Sequence, residues 1–195
     1  MKRLLIGALL SSALVLPSFA ALENGAQAPD FSAPASLDGE EFTFSLKDAL
    51  QKGPVVVYFY PAAYTRGCNI EAHTFAVNKE NFDAAGATII GVSRDSIARL
   101  NEFSADPEYC AGKFPVASDA DGTITKSYDL NSLTPPSGIK DTRGREITHT
   151  ELTERTTYVI APDSSVIATF SSADDGISPT DHVDKSLEVV KAFGK

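Results

Sequence analysis

The chain has two cysteines in 195 residues, Cys68 and Cys110, and no Cys-x-x-Cys pair. That absence counts against a dithiol–disulfide exchange enzyme, in which a second thiol close behind the first releases the mixed disulfide. Positive charge is scarce as well: 17 Lys and Arg face 26 Asp and Glu, a net charge of −9. Nucleic-acid binding needs cations to neutralise phosphates, so no nucleic-acid partner is expected. There is no glycine-rich nucleotide loop, and electrons are therefore not expected from a nicotinamide held by this chain. Internal repeats and low-complexity segments are absent too.

Metal-ligand spacing is also missing. Cys68 and His73 lie five residues apart, which on a helix is a rotation of ~500°, so the two side chains would not share a face. His149 and His182 have no neighbours at ligand spacing. "SDADGTI" (118–124) resembles the opening of a calcium loop, but the later bidentate glutamate is lacking, which leaves a turn. No metal and no cofactor are expected.

What is present begins with a leader. Lys2 and Arg3 precede an almost uninterrupted apolar run from Leu4 to Leu16, and Pro17-Ser18-Phe19-Ala20 closes it. Small residues at Ser18 and Ala20 fit the cleavage rule for a secretory signal peptide, so residues 1–20 are expected to be removed. The run is shorter than the ~20 residues a membrane anchor needs, and no later stretch is long and apolar enough to span a bilayer. An exported protein, periplasmic in a bacterium, with one domain over residues 21–195, is the expectation. Without Lys2 and Arg3 the net charge is near −11.

The mature chain alternates strand-like and helix-like segments. "PVVVYFY" (54–60) and "ATIIGVS" (87–93) are apolar without a polar face, as in strands buried on both sides. Between them, "CNIEAHTFAVNKENF" (68–82) carries a helical stripe of Ile70, Phe75, Ala76, Val77 and Phe82. "SIARLNEFSAD" (96–106) places Ile97, Leu100 and Phe103 at helical spacing behind Ser96 as N-cap. "KFPVASD" (113–119) reads as a short strand and "TITKSYDL" (123–130) as a short helix. "RTTYVIAPDSSVIATF" (155–170) reads as a hairpin, and "SPTDHVDKSLEVVKAF" (178–193) as a closing helix capped by Ser178 or Thr180. A βαβ unit followed by a hairpin and a helix is the order of a thioredoxin-like α/β fold: a central mixed sheet with helices on both faces. Residues 131–154 give no clear pattern beyond the loop "TPPSG" and an alternation in "REITHTELT" suited to an edge strand.

Cys68 falls where the first helix starts, near Gly67. Unpaired N–H groups and the helix dipole favour negative charge there, so its thiol is expected to ionise more readily than the reference of ~8.5. Two cysteines in an exported protein also suit a structural disulfide between Cys68 and Cys110, and the residues alone leave both readings open.

Pro61, Thr65 and Cys68, directly after a buried strand, fit P-x-x-x-T-x-x-C. With "YFYPAAYTRGCNIEA", "AGATIIGVSRDS", "KFPVASDADG" and "RTTYVIAPDSSVI" in order, the chain from Ala28 to Phe170 resembles the peroxiredoxins, in particular the peroxiredoxin Q or bacterioferritin-comigratory-protein group. The resemblance implies a thiol-dependent peroxidase with a thioredoxin-type fold. Cys68 would be the peroxidatic cysteine, attacking a peroxide oxygen and becoming a sulfenic acid. Thr65 would turn its hydroxyl to the thiolate and the peroxide, and Pro61 would shield the pocket from water. Arg155 would reach back to stabilise the sulfur and the departing oxygen, oriented by Glu71 one helical turn after Cys68. Many relatives carry a second cysteine five residues after the first, where this chain has His73; that leaves Cys110 as the intramolecular candidate for resolving the sulfenic acid. Hydrogen peroxide or small organic hydroperoxides are the implied substrates, a thioredoxin-like protein the reductant, and a monomer or weak homodimer the assembly.

Two other classes compete. A thioredoxin-fold disulfide oxidoreductase would need the absent second thiol close behind Cys68. A copper-delivering thioredoxin-fold protein would need two closely spaced cysteines and a nearby histidine.

Overall fold

The computed structural model describes residues 21–194. The leader expected over residues 1–20 lies outside them. The apolar run after Pro54 forms β3 (Val55–Phe59), whose five residues are all buried. It leads into α2 (Arg66–Ala84), then β4 (Thr88–Ser93), α3 (Ile97–Ala105) and β5 (Val116–Ser118). The expected hairpin is β8 (Thr156–Ile160) and β9 (Val166–Ser171), and the closing helix is α6 (Pro179–Phe193). Short helices α4 (Thr123–Ser127) and α5 (Ser172–Asp175) fill connections.

The segment from 32 to 50, which the sequence pattern left unassigned, is also regular. It forms β1 (Ser32–Leu37), β2 (Glu40–Ser45) and α1 (Leu46–Leu50). The seven-stranded sheet has the order β2-β1-β5-β4-β3-β8-β9. β3 pairs with β4 and β4 with β5 in parallel, while the outer pairs are antiparallel. The fold is therefore the mixed-sheet α/β architecture expected.

Burial on both faces explains why β3 lacks a polar side. On one face Val56 and Tyr58 pack with Phe75 and Phe82 of α2, Leu100 and Phe103 of α3, and Val183, Leu187 and Val190 of α6. On the other, Val55, Val57 and Phe59 meet Leu46 and Leu50 of α1 and Tyr128 just after α4. Tyr58 lies so close over β4 that a Cβ at Gly91 would stand 2.6 Å from its ring. A residue with a side chain there would displace the Tyr58–Phe75 stack, whose centroids are 4.6 Å apart.

Several boundaries differ from the sequence reading. α2 starts at Arg66 and runs two residues beyond Phe82, with Gly86 just past its end at φ +71°. Its buried residues are Cys68, Asn69, Glu71, Ala72, Phe75, Ala76 and Phe82. Ile70 and Val77, counted into the stripe from the sequence, are 42% and 63% exposed. They are seven residues apart and share the opposite side of the helix, which a sequence window of apolar residues does not separate from the core side. The strand in 113–119 is only three residues long.

Residues 131–154 add no strand to the main sheet. Their regular parts are β6 (Ser132–Leu133) and β7 (Leu152–Thr153), paired with each other, and a bridge between Lys140 and Glu146. The caps behave as expected. Ser96 Oγ accepts from the Arg99 N–H, and Ser178 forms a reciprocal capping box with Asp181. No helix among the described residues is long and apolar enough to cross a membrane.

Candidate active site

β3 and β4 end side by side, and the turn after β3 crosses their carboxyl ends, where open α/β sheets place their ligands. Residues 61–65 form this turn. Tyr64 adopts φ +64°, a left-handed conformation rare for a bulky residue, so surrounding contacts must hold it. They do so residue by residue. His149 Nε2 stands 3.3 Å from the Pro61 carbonyl. The Ala63 N–H donates to buried Asp95 at 2.7 Å, and its carbonyl accepts from Arg99 at 2.9 Å. The Tyr64 carbonyl accepts from both the N–H and the hydroxyl of Thr142, at 2.9 and 2.8 Å.

α2 follows this turn with Thr65 as N-cap. The Thr65 hydroxyl does not cap the helix; it donates to the Ala62 carbonyl at 2.9 Å, which leaves its oxygen lone pairs free to accept. Cys68 is the third residue of α2, so its N–H is one of those without an intrahelical acceptor. Its side chain is buried. Arg155, immediately before β8, reaches it from 87 positions away: Nη2 donates to Cys68 Sγ at 3.3 Å. The other prong, Nη1, donates to Glu71 Oε2. One planar guanidinium thus spans two residues of the same helical face.

Burial dominates the electrostatics here. It pushes the Glu71 carboxyl up to about 7, although Arg155 pulls the other way. Burial also works against the charge of Arg155, but Glu71 and then Cys68 outweigh it and hold the guanidinium above its usual range. Arg155 is the fixed cation of the cluster, and Glu71 is the member that burial makes reluctant to ionise. His182 of α6 lies close by, fully buried. Burial first, and the charge of Arg155 second, lower it to about 4, so it is a neutral ring at ordinary pH.

Gly67 is a site residue that sequence reasoning passed over as a mere helix start. A Cβ there would stand 3.0 Å from Arg155 Nη2 and 3.6 Å from the Pro179 ring, so the bare backbone lets the guanidinium lie against the helix. Asp95, Arg99, Thr142 and His149 were missed as well. In the sequence Asp95 is only an acidic residue two positions after an apolar strand; its burial beside the cysteine turn comes with the fold. Burial raises its pKa against the Ala63 N–H and the neighbouring charges of His149 and Arg99.

Of the residues singled out from the sequence, Cys68, Glu71 and Arg155 are in direct contact, and Thr65 and Pro61 belong to the turn before them. Cys110 is buried in the loop after α3 and is not bonded to Cys68. Burial, followed by Asp106, holds its thiol well above the usual range. His73 does not face Cys68; its Nδ1 lies 3.0 Å from the Glu108 carbonyl in the Cys110 loop. A cavity of about 540 Å³ between Phe31, Pro34, Asp119 and Ile124 touches none of these residues.

The arrangement places a nucleophilic sulfur type at a helix N-terminus under a fixed cation, which suits attack on a small electrophile that leaves as an oxyanion. Comparison with known proteins agrees. Residues 24–169 match the AhpC/TSA family. The chain is 30% identical over 141 residues to peroxiredoxin Bcp of Xanthomonas campestris pv. campestris, covering 72% of this chain and 78% of the relative. It is 31% identical over 177 residues to a putative peroxiredoxin of Mycobacterium tuberculosis, covering 88% and 98%. Among solved structures, peroxidoxin BcpB of Mycobacterium tuberculosis superposes with a TM-score of 0.71 at 29% identity, over 88% of this chain and 98% of that one. Xanthomonas campestris peroxiredoxin Q gives 0.64 at 30% identity, over 83% and 91%.

Proposed function

This chain belongs to the AhpC/TSA family and is a peroxiredoxin, a thiol-dependent peroxidase, and on that premise we propose that Cys68 is the sulfur that attacks the peroxide. The thiolate of Cys68 attacks the distal oxygen of ROOH and breaks the O–O bond, giving Cys68–SOH and RO⁻, which leaves as ROH once protonated. Arg155 Nη2, 3.3 Å from Sγ, lies where negative charge resides before the step and where it develops on the departing oxygen. Glu71 fixes the plane of that guanidinium, and the free lone pairs of Thr65 Oγ1 accept a hydrogen bond from the peroxide O–H. Pro61, half-buried at the head of the turn, shields the sulfur from water in this scheme. The contact of Arg155 with both Cys68 and Glu71 is the observation that carries this reading.

The thiol of Cys110 then condenses with Cys68–SOH, forming the disulfide and releasing water. A dithiol protein of thioredoxin type reduces that bridge and is itself oxidised. Hydrogen peroxide and small organic hydroperoxides are the substrate class. The apolar leader of residues 1–20 directs the protein to the periplasm, where an N-terminus at Ala21 on the secreted form is the check.

Intact-mass measurement after one equivalent of peroxide tests the scheme. The wild type is expected to lose two hydrogen atoms as an internal disulfide, Cys110→Ser to stop at the oxidised Cys68, and Cys68→Ser to remain unchanged. A Cys68→Ser protein that still turns over peroxide overturns it.

A further inference from the structure

The turn that leads into Cys68 and the loop that carries Cys110 are each held in left-handed backbone at a residue with a side chain. Tyr64, four positions before Cys68, has φ +64°, and Ala111, directly after Cys110, has φ +53°. Such conformations persist only where neighbouring contacts impose them. The two loops also touch, since the Tyr64 and Tyr109 rings meet edge to face with centroids 5.7 Å apart. Both sulfurs are buried, and they are not bonded to each other. A disulfide brings two sulfurs to about 2 Å, so these unbonded sulfurs must approach, and the contacts that hold the turn and the loop resist that approach.

Three guanidiniums lie over the Tyr64 ring. Those of Arg145 and Arg99 are 4.5 and 5.3 Å from its centroid and pair with Asp141. Arg143 is nearest, at 4.3 Å, and it is the one of the three that also reaches the other loop. Its guanidinium stands 5.7 Å from the Tyr109 centroid, and Nη2 donates to Asp106 Oδ2. Asp106 is the residue around which the Cys110 loop is wound. Its carbonyl accepts from Tyr109 and Ala111, at 3.1 and 2.8 Å, and its carboxylate accepts from the Glu108 N–H at 3.0 Å. Arg143 is anchored in turn through its own N–H, 2.9 Å from Asp141 Oδ1, and its neighbour Thr142 holds the Tyr64 carbonyl.

We propose that Arg143 is a positioning residue that bolts the Cys68 turn to the Cys110 loop, and that its release sets the rate at which the two cysteines join. This rests on the reading of Cys110 as the resolving thiol. Arg143 does not touch Cys68, Glu71 or Arg155, so the bolt acts on the second chemical step: Cys68–SOH and Cys110–SH give the disulfide and water. The side chain is 40% exposed, so it can leave without opening the core.

Quenched-flow samples, alkylated and weighed intact after one peroxide pulse, separate the sulfenic acid from the disulfide. In Arg143→Gln, sulfenic acid formation is expected within about twofold of wild type, and bridging roughly three- to tenfold faster, as loss of a stacked, ion-paired arginine would give. Arg143→Lys keeps the charge opposite Asp106 but loses the planar stack, and is expected to fall between the two. Bridging in Arg143→Gln at the wild-type rate or slower overturns the proposal. Should wild type form no Cys68–Cys110 bridge, the resolving role of Cys110 fails on its own account. The bolt is then decided by a thiol reagent on the reduced protein: labelling of Cys110 severalfold faster in Arg143→Gln supports it, and equal rates overturn it.

Discussion

Replacing His182 by Gln should change the acid stability of this protein in a direction opposite to its effect at neutral pH. The His182 ring is fully buried, with Nδ1 and Nε2 each 2.9 Å from a hydroxyl, those of Thr157 and Ser172. Ser172 donates to the Ile177 carbonyl, so it accepts from Nε2–H, and Nδ1 accepts from Thr157. Burial and the nearby Arg155 cation lower the ring from the usual 6.5 to about 4. Between those values the unfolded chain binds a proton that the folded protein refuses, so stability falls as the pH is lowered.

For a shift of this size the loss is about 2 kcal/mol by pH ~5 and about 3 kcal/mol at pH ~4. Gln cannot satisfy both hydroxyls in the same geometry and should cost about 1–2 kcal/mol near pH ~7.5. It carries no titrating ring, so its deficit should shrink on acidification and reverse near pH ~5. Urea titrations of both proteins from pH ~7.5 to ~4.5 measure this, with the free-energy difference as the readout. Acidic groups that His182 does not influence, such as Asp141 and Asp163 with their lowered pKa values, cancel in that difference. A difference that stays constant across the range would refute the picture of a ring kept neutral by burial.

Three further outcomes concern the rate of the peroxide step, measured by stopped flow on reduced protein. Arg155→Met should lower the second-order rate constant by about 10²–10³, and Arg155→Lys should recover only part, because an ammonium cannot span Cys68 and Glu71 as a planar fork does. Wild-type reactivity in Arg155→Met would remove the guanidinium from the mechanism. Gly67→Ala should slow the reaction about tenfold by pushing Arg155 Nη2 away, while thermal stability holds or rises, since Ala favours a helix over Gly by roughly 1 kcal/mol. Equal rates in the two proteins would show that the guanidinium tolerates the shift. Thr65→Val should lower the rate about tenfold and Thr65→Ser should restore it, because the free lone pairs of that hydroxyl accept a hydrogen bond that orients the peroxide O–H.

The parts of the fold that were readable in the sequence are those whose pattern is set by near neighbours. Val55–Phe59 and Thr88–Ser93 read as buried strands because both faces of each are apolar, and Ser96 and Ser178 announced their helices through local cap chemistry. The hairpin of β1 and β2 went unassigned although Asp38-Gly39 marks its turn, because four residues of β2 are exposed and the strand lacks an apolar stripe. The segment 131–154 gave no pattern for a different reason. Its work is done by single long-range contacts, Asp141 on Arg99, Thr142 on Tyr64 and His149 facing Pro61, and such contacts impose no period.

The site divides along the same line. Cys68 at a helix start could be argued from the chain alone, because a strand, a turn and a helix follow one another within fifteen residues. Thr65 and Pro61 came with the motif, and Arg155 and Glu71 came from a family resemblance rather than from any spacing. Only the order of strands in the sheet, which sets β8 beside β3, brings position 155 to position 68. Local sequence determines which elements form, since capping and apolar periodicity act over a few residues. Which elements become neighbours is decided by how the whole apolar surface is buried at once, and Gly67, Asp95 and Arg143 acquire their meaning only there.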